Sequence, residues 1–345
     1  MASFIKAWGL VIISLCYTFF IAKLVPKGIK RLILFFPVFL IFFIVPFLIY
    51  SLHLLGITAF FIAWLANFKL FLFALGRGPL SSNHKPLSLP IFLAVSCLPI
   101  KIQLSPKPTK THSHEGSTEG PLIYTIKAVF VVLIIKAYEY STKLPEKVVL
   151  TLYAIHIYFA LEIILAATAA AVRAMSDLEL EPQFNKPYLA TSLQDFWGRR
   201  WNLMVTGILR PTVYEPSLQL FSVLGPNYSQ VLAAFGTFVV SGIMHELIFF
   251  YMGRLRPDWK MMWFFLINGF CTTVEIAIKK TINGRWRFPK AISQVLTLTF
   301  VMVTALWLFL PEFNRCNIVE KALDEYAAIG AFAVEVRRKL TAYLF

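Results

Sequence analysis

Charge is scarce in this sequence: Asp, Glu, Lys and Arg together make up 15% of its 345 residues, while 58% are hydrophobic. A soluble domain with so little charge over such a length would expose large apolar patches, so a water-soluble globular fold is excluded. Acidic residues are scarcer still, 18 against 33 Lys plus Arg, leaving a formal net charge of +15. The four cysteines, Cys16, Cys97, Cys271 and Cys316, form no CxxC pair. They support neither a disulfide framework nor a zinc site, and no metal is implied. No internal repeat is visible, which argues against the paired halves of many transporters.

What the sequence has instead is long apolar runs, with a mean hydropathy of +0.69. A spanning helix needs ~20 mostly apolar residues. Candidate spans at 7–25, 32–50, 54–75, 121–140, 148–172, 229–251, 260–278 and 291–311 predict an all-α, polytopic membrane protein. About eight transmembrane helices are expected, within a range of seven to nine, in a single membrane-embedded domain over 1–345. The apolar run from Trp8 to Ala22 lacks a small-residue cleavage pattern and reads as a retained first span, not a signal peptide. Pro37 and Pro46 predict kinks in the second span. The stretch 87–100 is about half a membrane thick and suits a re-entrant or interfacial piece. Residues 101–120 predict a polar loop, whose His112, His114 and Glu115 read more readily as solvated side chains than as metal ligands. The tail 315–345 has Leu323, Tyr326, Ala333, Val336 and Leu340 at roughly helical spacing, predicting an amphipathic helix on the membrane surface.

The basic excess fits cytoplasmic loops, anionic lipid and phosphates, not nucleic acid. Lys23, Lys27, Lys30 and Arg31 place the first connection in the cytoplasm. Counting spans puts 76–120, 173–228 and 279–290 on the same side, while Arg254, Arg256 and Lys260 face the lumen, against the rule.

An ionisable side chain near mid-bilayer costs ~2.5–3.5 kcal/mol on insertion scales, so each one asks for a reason. The strongest case is Ser241-Gly-Ile-Met-His245-Glu246. Ser241 and Gly242 lie one turn before His245 and Glu246, so small residues sit beside two titratable ones, as in a helix lining a ligand cavity. Histidine takes and returns a proton near neutral pH. A packed histidine bonded to a neighbouring carbonyl, with Glu246 tying two helices together, explains the same residues. Asn268, Thr272 and Glu275 share one helix face and read as interhelical hydrogen bonding. His156 and Glu162 share a face poorly and read as structural contacts.

A second block, Leu193-Gln-Asp-Phe-Trp-Gly-Arg-Arg-Trp-Asn202, lies between apolar spans. Paired arginines among Phe196, Trp197 and Trp201 suit a headgroup interface. They equally suit a mouth gripping the phosphates of coenzyme A, with Asn202 at the thioester and Arg210 extending the basic rim.

With these motifs, and with Gly76-Arg-Gly-Pro-Leu80 and Leu209-Arg-Pro-Thr-Val-Tyr214, the sequence resembles the membrane-bound O-acyltransferase superfamily, in its plant wax-synthase-like branch, almost end to end. The resemblance implies a many-helix fold around a tunnel, with acyl-CoA arriving from the cytosol and a lipid alcohol from the bilayer. It implies an endoplasmic reticulum location and no cofactor beyond acyl-CoA as co-substrate. The family's essential histidine falls on His245 and its essential asparagine on Asn202; Glu246 is expected to orient the imidazole. Arg199, Arg200, Trp197 and Trp201 are expected to bind acyl-CoA. The expected acceptor is a sterol, with a long-chain fatty alcohol as the rival acceptor and a membrane transporter as the rival class. The animal and fungal sterol acyltransferases of the superfamily are longer and carry a different, tryptophan-rich block, so the resemblance supports acyl transfer more firmly than it supports the sterol.

Overall fold

A computed structural model describes residues 2–81, 87–99, 120–175, 182–282 and 288–344. The polar loop expected over 101–120, with His112, His114 and Glu115, lies outside the described residues except at its last position, as do Arg285 and Arg287.

Where apolar residues run on without a break, the backbone closes its own hydrogen bonds as helix, the one open structure that satisfies them in lipid. The helices are α1 (Ser3–Leu24), α2 (Ile29–Leu48), α3 (Leu52–Ala74), α4 (Leu89–Cys97), α5 (Pro121–Ala137) and α6 (Glu146–Met175). They continue with α7 (Leu203–Leu209), α8 (Pro226–Gly253), α9 (Lys260–Ile282), α10 (Lys290–Arg315) and α11 (Ile318–Leu344). The described residues contain no strand. Seven helices, α1, α2, α3, α6, α8, α9 and α10, are long and apolar enough to cross a membrane. The eighth expected span, 121–140, is α5, whose 17 residues reach about 25 Å, just short of the ~30 Å hydrocarbon core. The chain is thus an all-α, multi-pass membrane protein, and its outer surface carries exposed apolar side chains such as Ile13, Phe36, Val129 and Val295.

Local chemistry sets the ends. In α2, Pro37 sits inside the helix and Pro46 marks its tightening into a 3₁₀ turn over Val45–Leu48. The Gly76-Arg-Gly motif stops α3. Gly76 N–H donates to Phe73 O and Arg77 N–H to Leu72 O, with Gly76 at φ 74°, the paired bonds of a Schellman cap. Short α4 is tied down by Lys69, whose fully buried ammonium donates to Val95 O and Leu98 O at 2.6 Å each. That cation satisfies carbonyls that a helix end leaves free.

Helices α8 and α9 run antiparallel in close contact through two glycines. A Cβ on Gly242 would lie 2.5 Å from Met262 Sδ, and one on Gly269 would lie 2.7 Å from Phe238 Cβ. Gly242 therefore lets two helices touch, and does not clear cavity space as its place beside Glu246 suggested.

Three carboxylates in or beside apolar helices share one explanation. Glu246 accepts from Met262 N–H (3.1 Å) in the first turn of α9. Glu275 accepts from Leu193 N–H (2.8 Å) and Gln194 N–H (3.3 Å). Glu325 accepts from Leu52 N–H and from His53 N–H (3.3 Å) at the start of α3. Each satisfies amide donors that a helix N-terminus leaves without partners, where negative charge is favoured. Of the basic residues expected on the lumenal side, Lys260 pairs with Asp258 and Glu312, a cluster that Arg315 joins, and Arg254 donates to Phe47 O.

Candidate active site

One cavity of about 1480 Å³ runs through the bundle. Both Gln230, near the start of α8, and Met252, near its end, line it. The intervening rise is about 33 Å, so the cavity traverses nearly the membrane's thickness. Its wall is aromatic and aliphatic, with polar groups gathered at three levels.

Arg199, Arg210 and Lys280 stand at one end. Lys280 donates to Gln230 Oε1 and to Asn227 Oδ1, and Arg210 lies 3.5 Å from Glu215. Arg199 is exposed and makes no ion pair or hydrogen bond among the described residues.

Asn202, Thr206, Ser241 and His245 form the middle level. Asn202 takes a left-handed conformation, φ 41° and ψ 66°, and its Oδ1 accepts from Val205 N–H (3.4 Å), capping α7. Asparagine tolerates that backbone region and caps well. With the carbonyl oxygen so used, its amide NH₂ is the group left to donate. Aromatic stacking holds the adjacent backbone: Trp201 lies on Phe196 (5.5 Å, 14°) and on Tyr158 (6.0 Å, 26°). Trp197 Nε1–H donates to Asn268 Oδ1 (3.3 Å), and Glu275 fixes the start of the same segment. Asn268 and Glu275 thus make the interhelical bonds expected of this face and steady the block that carries Asn202, whereas Thr272 donates back to Asn268 O within α9.

His245 is half-buried, its open part on the cavity. Nδ1 lies 2.8 Å from Ser241 O. A carbonyl only accepts, so Nδ1 carries the proton in the neutral ring and Nε2 carries the lone pair. The ring sits among Phe265 (centroids 4.4 Å apart), Trp64 (5.4 Å) and Phe309 (5.9 Å).

The third level is the far end. His53 Nδ1 lies 2.5 Å from Glu325 Oε2 and its Nε2 lies 2.9 Å from Tyr326 OH. His156 Nδ1 lies 3.1 Å from Tyr138 OH. Ile318, Val319, Ala322, Leu323 and Tyr326 of α11 line the cavity here.

A model of the membrane bound O-acyl transferase family matches residues 180–267, a range that contains both Asn202 and His245. The chain is 99% identical, over the full length of both, to the acyl-CoA–sterol O-acyltransferase 1 of Arabidopsis thaliana. It is 44% identical to the long-chain-alcohol O-fatty-acyltransferase of Simmondsia chinensis, with 94% of each chain covered. With the probable long-chain-alcohol O-fatty-acyltransferase 1 of Arabidopsis thaliana the identity is 41%, covering 93% of this chain and 94% of the other. This chain belongs to the membrane bound O-acyl transferase family.

In this O-acyltransferase, the geometry separates the residues that the sequence grouped. His245, Asn202, Trp197, Trp201 and Arg199 line one cavity. Arg200 does not. Its guanidinium donates to Asp195 Oδ2 (2.7 Å), Asn185 O (3.2 Å) and Lys186 O (3.4 Å), holding the loop together. Glu246 faces Met262 of α9, so the imidazole is oriented by Ser241 O instead. This follows from helix geometry: successive residues point about 100° apart, and His245 and Glu246 cannot share a face. Glu162 pairs with Lys127 (2.7 Å) across α6 and α5, as a structural contact. Among the described residues no cluster of three His, Cys, Asp or Glu side chains is arranged to hold a metal.

Sequence reasoning missed Trp64, Phe265 and Phe309. The chain has 33 Phe and 8 Trp, so one more aromatic in an apolar run carries no signal. Trp64 and Phe309 sit in wide, π-type turns, Ala59–Ala66 and Ala305–Phe309, and two further turns of this kind are Phe196–Arg200 and Arg210–Tyr214. All four contribute cavity wall, in keeping with the frequency of π-bulges at functional sites.

Proposed function

We propose that this enzyme esterifies the hydroxyl of a sterol with the fatty acyl group of acyl-CoA, using His245 as general base and Asn202 as hydrogen-bond donor. One observation carries the assignment: His245 stands in the middle of a membrane-deep cavity with Nδ1 held by Ser241 O, which leaves Nε2 to receive a proton. The alcohol O–H gives its proton to Nε2 as the oxygen attacks the thioester carbonyl carbon. The Asn202 amide donates to the oxyanion as it develops, and collapse expels the CoA thiolate, which regains the proton from His245. General-base help of this kind is worth ~10²–10⁴-fold.

Arg199, at the open end with Arg210 and Lys280, meets the phosphates of CoA. From that end to His245 the α8 helix rises about 22 Å, a span that suits an extended pantetheine arm. Trp197 and Trp201 wall the channel along which that arm lies. Arg199 and Arg210 belong to 173–228 and Lys280 to 279–290, segments that loop charge and the count of spans put on the cytosolic side, where acyl-CoA resides; the membrane we assign is the endoplasmic reticulum.

The sterol acceptor is supported by the 99% identity to an acyl-CoA–sterol O-acyltransferase. A long-chain alcohol acceptor has its own support, the 44% identity to a long-chain-alcohol O-fatty-acyltransferase. The test is expression in a host lacking neutral-lipid acyltransferases, with microsomes given labelled acyl-CoA and sterol, fatty alcohol or diacylglycerol. Sterol esters are the expected principal product. A kcat/KM for hexadecanol above that for every plant sterol tried would overturn the sterol and leave acyl transfer standing.

A further inference from the structure

General-base catalysis by His245 makes an imidazolium in the middle of an apolar cavity, and that cation needs compensation. In a hydrolase triad a carboxylate provides it. Here, among the described residues, no Asp or Glu lines the cavity. The neighbouring carboxylate, Glu246, is engaged with Met262 N–H on the other side of the helix. The Ser241 carbonyl offers one dipole to Nδ1–H, at 2.8 Å.

Three aromatic rings surround the imidazole. Phe265 is nearest, 4.4 Å between centroids with planes 33° apart, close to a stacked arrangement. Trp64 stands at 5.4 Å and 76°, and Phe309 at 5.9 Å and 64°. All three centroids lie within ~6 Å of the imidazole, the range of a cation–π contact, with Phe265 tilted and Trp64 and Phe309 edge-to-face with it. They come from three separate helices, α9, α3 and α10, and two of them sit in the π-type turns Ala59–Ala66 and Ala305–Phe309. Trp64 adds a detail: it is 1% exposed, and its Nε1–H has no hydrogen-bond partner among the described residues. A buried indole N–H without an acceptor is destabilising. A phenylalanine would avoid that cost, and the indole has the strongest cation-attracting face of the three aromatic types.

We propose that Phe265, Trp64 and Phe309 form an aromatic cage that stabilises the His245 imidazolium in the transition state, replacing the carboxylate of a triad. The proposal rests on His245 being the general base. The three rings also line the cavity, but the effect proposed for them is exerted through His245. Since the neutral imidazole gains much less from them than the cation, their effect falls on kcat and leaves the KM values for acyl-CoA and sterol in place.

The test replaces Phe265 by 4-fluoro-, 3,4-difluoro- and 3,4,5-trifluorophenylalanine in the full-length enzyme, assayed in microsomes beside His245→Ala. Fluorine drains the ring face while nearly preserving shape, so a packing role is blind to the series. Expected is a stepwise fall in kcat, reaching roughly 5- to 30-fold at the trifluoro ring, the size of a desolvated cation–π contact, with both KM values unchanged. A flat kcat across the series, with His245→Ala inactive, overturns the cage and spares the base. An active His245→Ala overturns the base itself, and the cage with it. Trp64→Phe, which keeps a face and removes the N–H, is expected to retain more kcat than Trp64→Leu; equal losses would remove Trp64 from the cage.

Discussion

His245 and His53 line the same cavity and are held in opposite ways. Both ring nitrogens of His53 have side-chain partners, Glu325 at 2.5 Å and Tyr326 at 2.9 Å. Among the described residues His245 has one hydrogen-bond partner, a backbone carbonyl, and aromatic rings around the rest. His156 stands between them in kind, with Tyr138 OH at 3.1 Å. An apolar cavity keeps a base reactive by withholding acceptors and donors from the nitrogen that must work. It makes a histidine structural by satisfying both. The carboxylates tell the same story: Glu246, Glu275 and Glu325 are committed to backbone amides, so none is free to act as the base.

The contrast is broken most directly at the two histidines. His245→Ala is expected to lower ester formation at least ~10²-fold, at normal protein level, whereas His53→Ala retains a substantial fraction of the rate. Initial rates per unit of immunodetected protein decide this, and equal losses at the two positions would erase the distinction.

Next in size is Asn202→Asp. The substitution keeps an oxygen to cap α7 and removes the NH₂ donor, so kcat is expected to fall ~10²-fold with little change in thermal midpoint. A variant that unfolds early instead, with kcat per folded enzyme intact, would reduce Asn202 to a cap.

The arginines sharpen the comparison between residues facing the cavity and residues facing protein. Arg199→Gln is expected to raise the KM for acyl-CoA several-fold, an effect mimicked by added salt because the contact is exposed. Arg200→Gln, which frees Asp195 and two carbonyls, is expected to lower thermal stability by ~1–3 kcal/mol with less change in that KM. Reversed behaviour in a microsomal titration and a thermal-shift assay would exchange their roles.

The smallest effect concerns Glu325. Burial alone would raise its carboxyl, but the bonds from the His53 ring and from the Leu52 and His53 amides prevail and hold it below the ordinary value. A depressed folded-state value stabilises the protein above the ordinary carboxyl range, near pH 4–5 (roughly), and that contribution is lost as pH falls toward the folded-state value. The thermal midpoint of detergent-solubilised enzyme is therefore expected to drop on acidification below about pH 4.5, and Glu325→Gln is expected to lack that component. A variant with the wild-type acid profile would detach Glu325 from the stability of the α3–α11 contact.

Much of the fold was legible because lipid imposes a one-dimensional rule. Runs such as Trp8 to Ala22 and 229–251 predict spanning helices, and the structure has helices long and apolar enough to cross a membrane at both. The site was legible in part. His245 stood out as an ionisable residue in an apolar run, Asn202 through the arginine–tryptophan block and the family resemblance, and both line the cavity. Arg199 and Arg200 were indistinguishable, since adjacent arginines in an aromatic block look alike until Asp195 takes one of them. Glu246 was misjudged for the opposite reason: adjacency in sequence suggested partnership, whereas the helix turns neighbours apart. The tail 315–345 read as a surface helix. The first two turns of α11 in fact wall the far end of the cavity, while Ile329, Phe332 and Leu340 further along are exposed.

The sequence alone determined the class of protein, its helices and the candidate histidine His245, because hydropathy and an ionisable group in lipid are local energetic facts. Only the tertiary structure decided which nitrogen of which histidine is left free, which arginine faces the cavity, and which of the chain's many phenylalanines and tryptophans surround His245. Those outcomes depend on the direction in which side chains leave their helices. That direction is set by turns as subtle as the π-type stretches at Ala59–Ala66 and Ala305–Phe309, and by glycine contacts such as Gly242 against Met262. An apolar run reads the same whether its aromatic residues face lipid or substrate, and packing alone tells them apart.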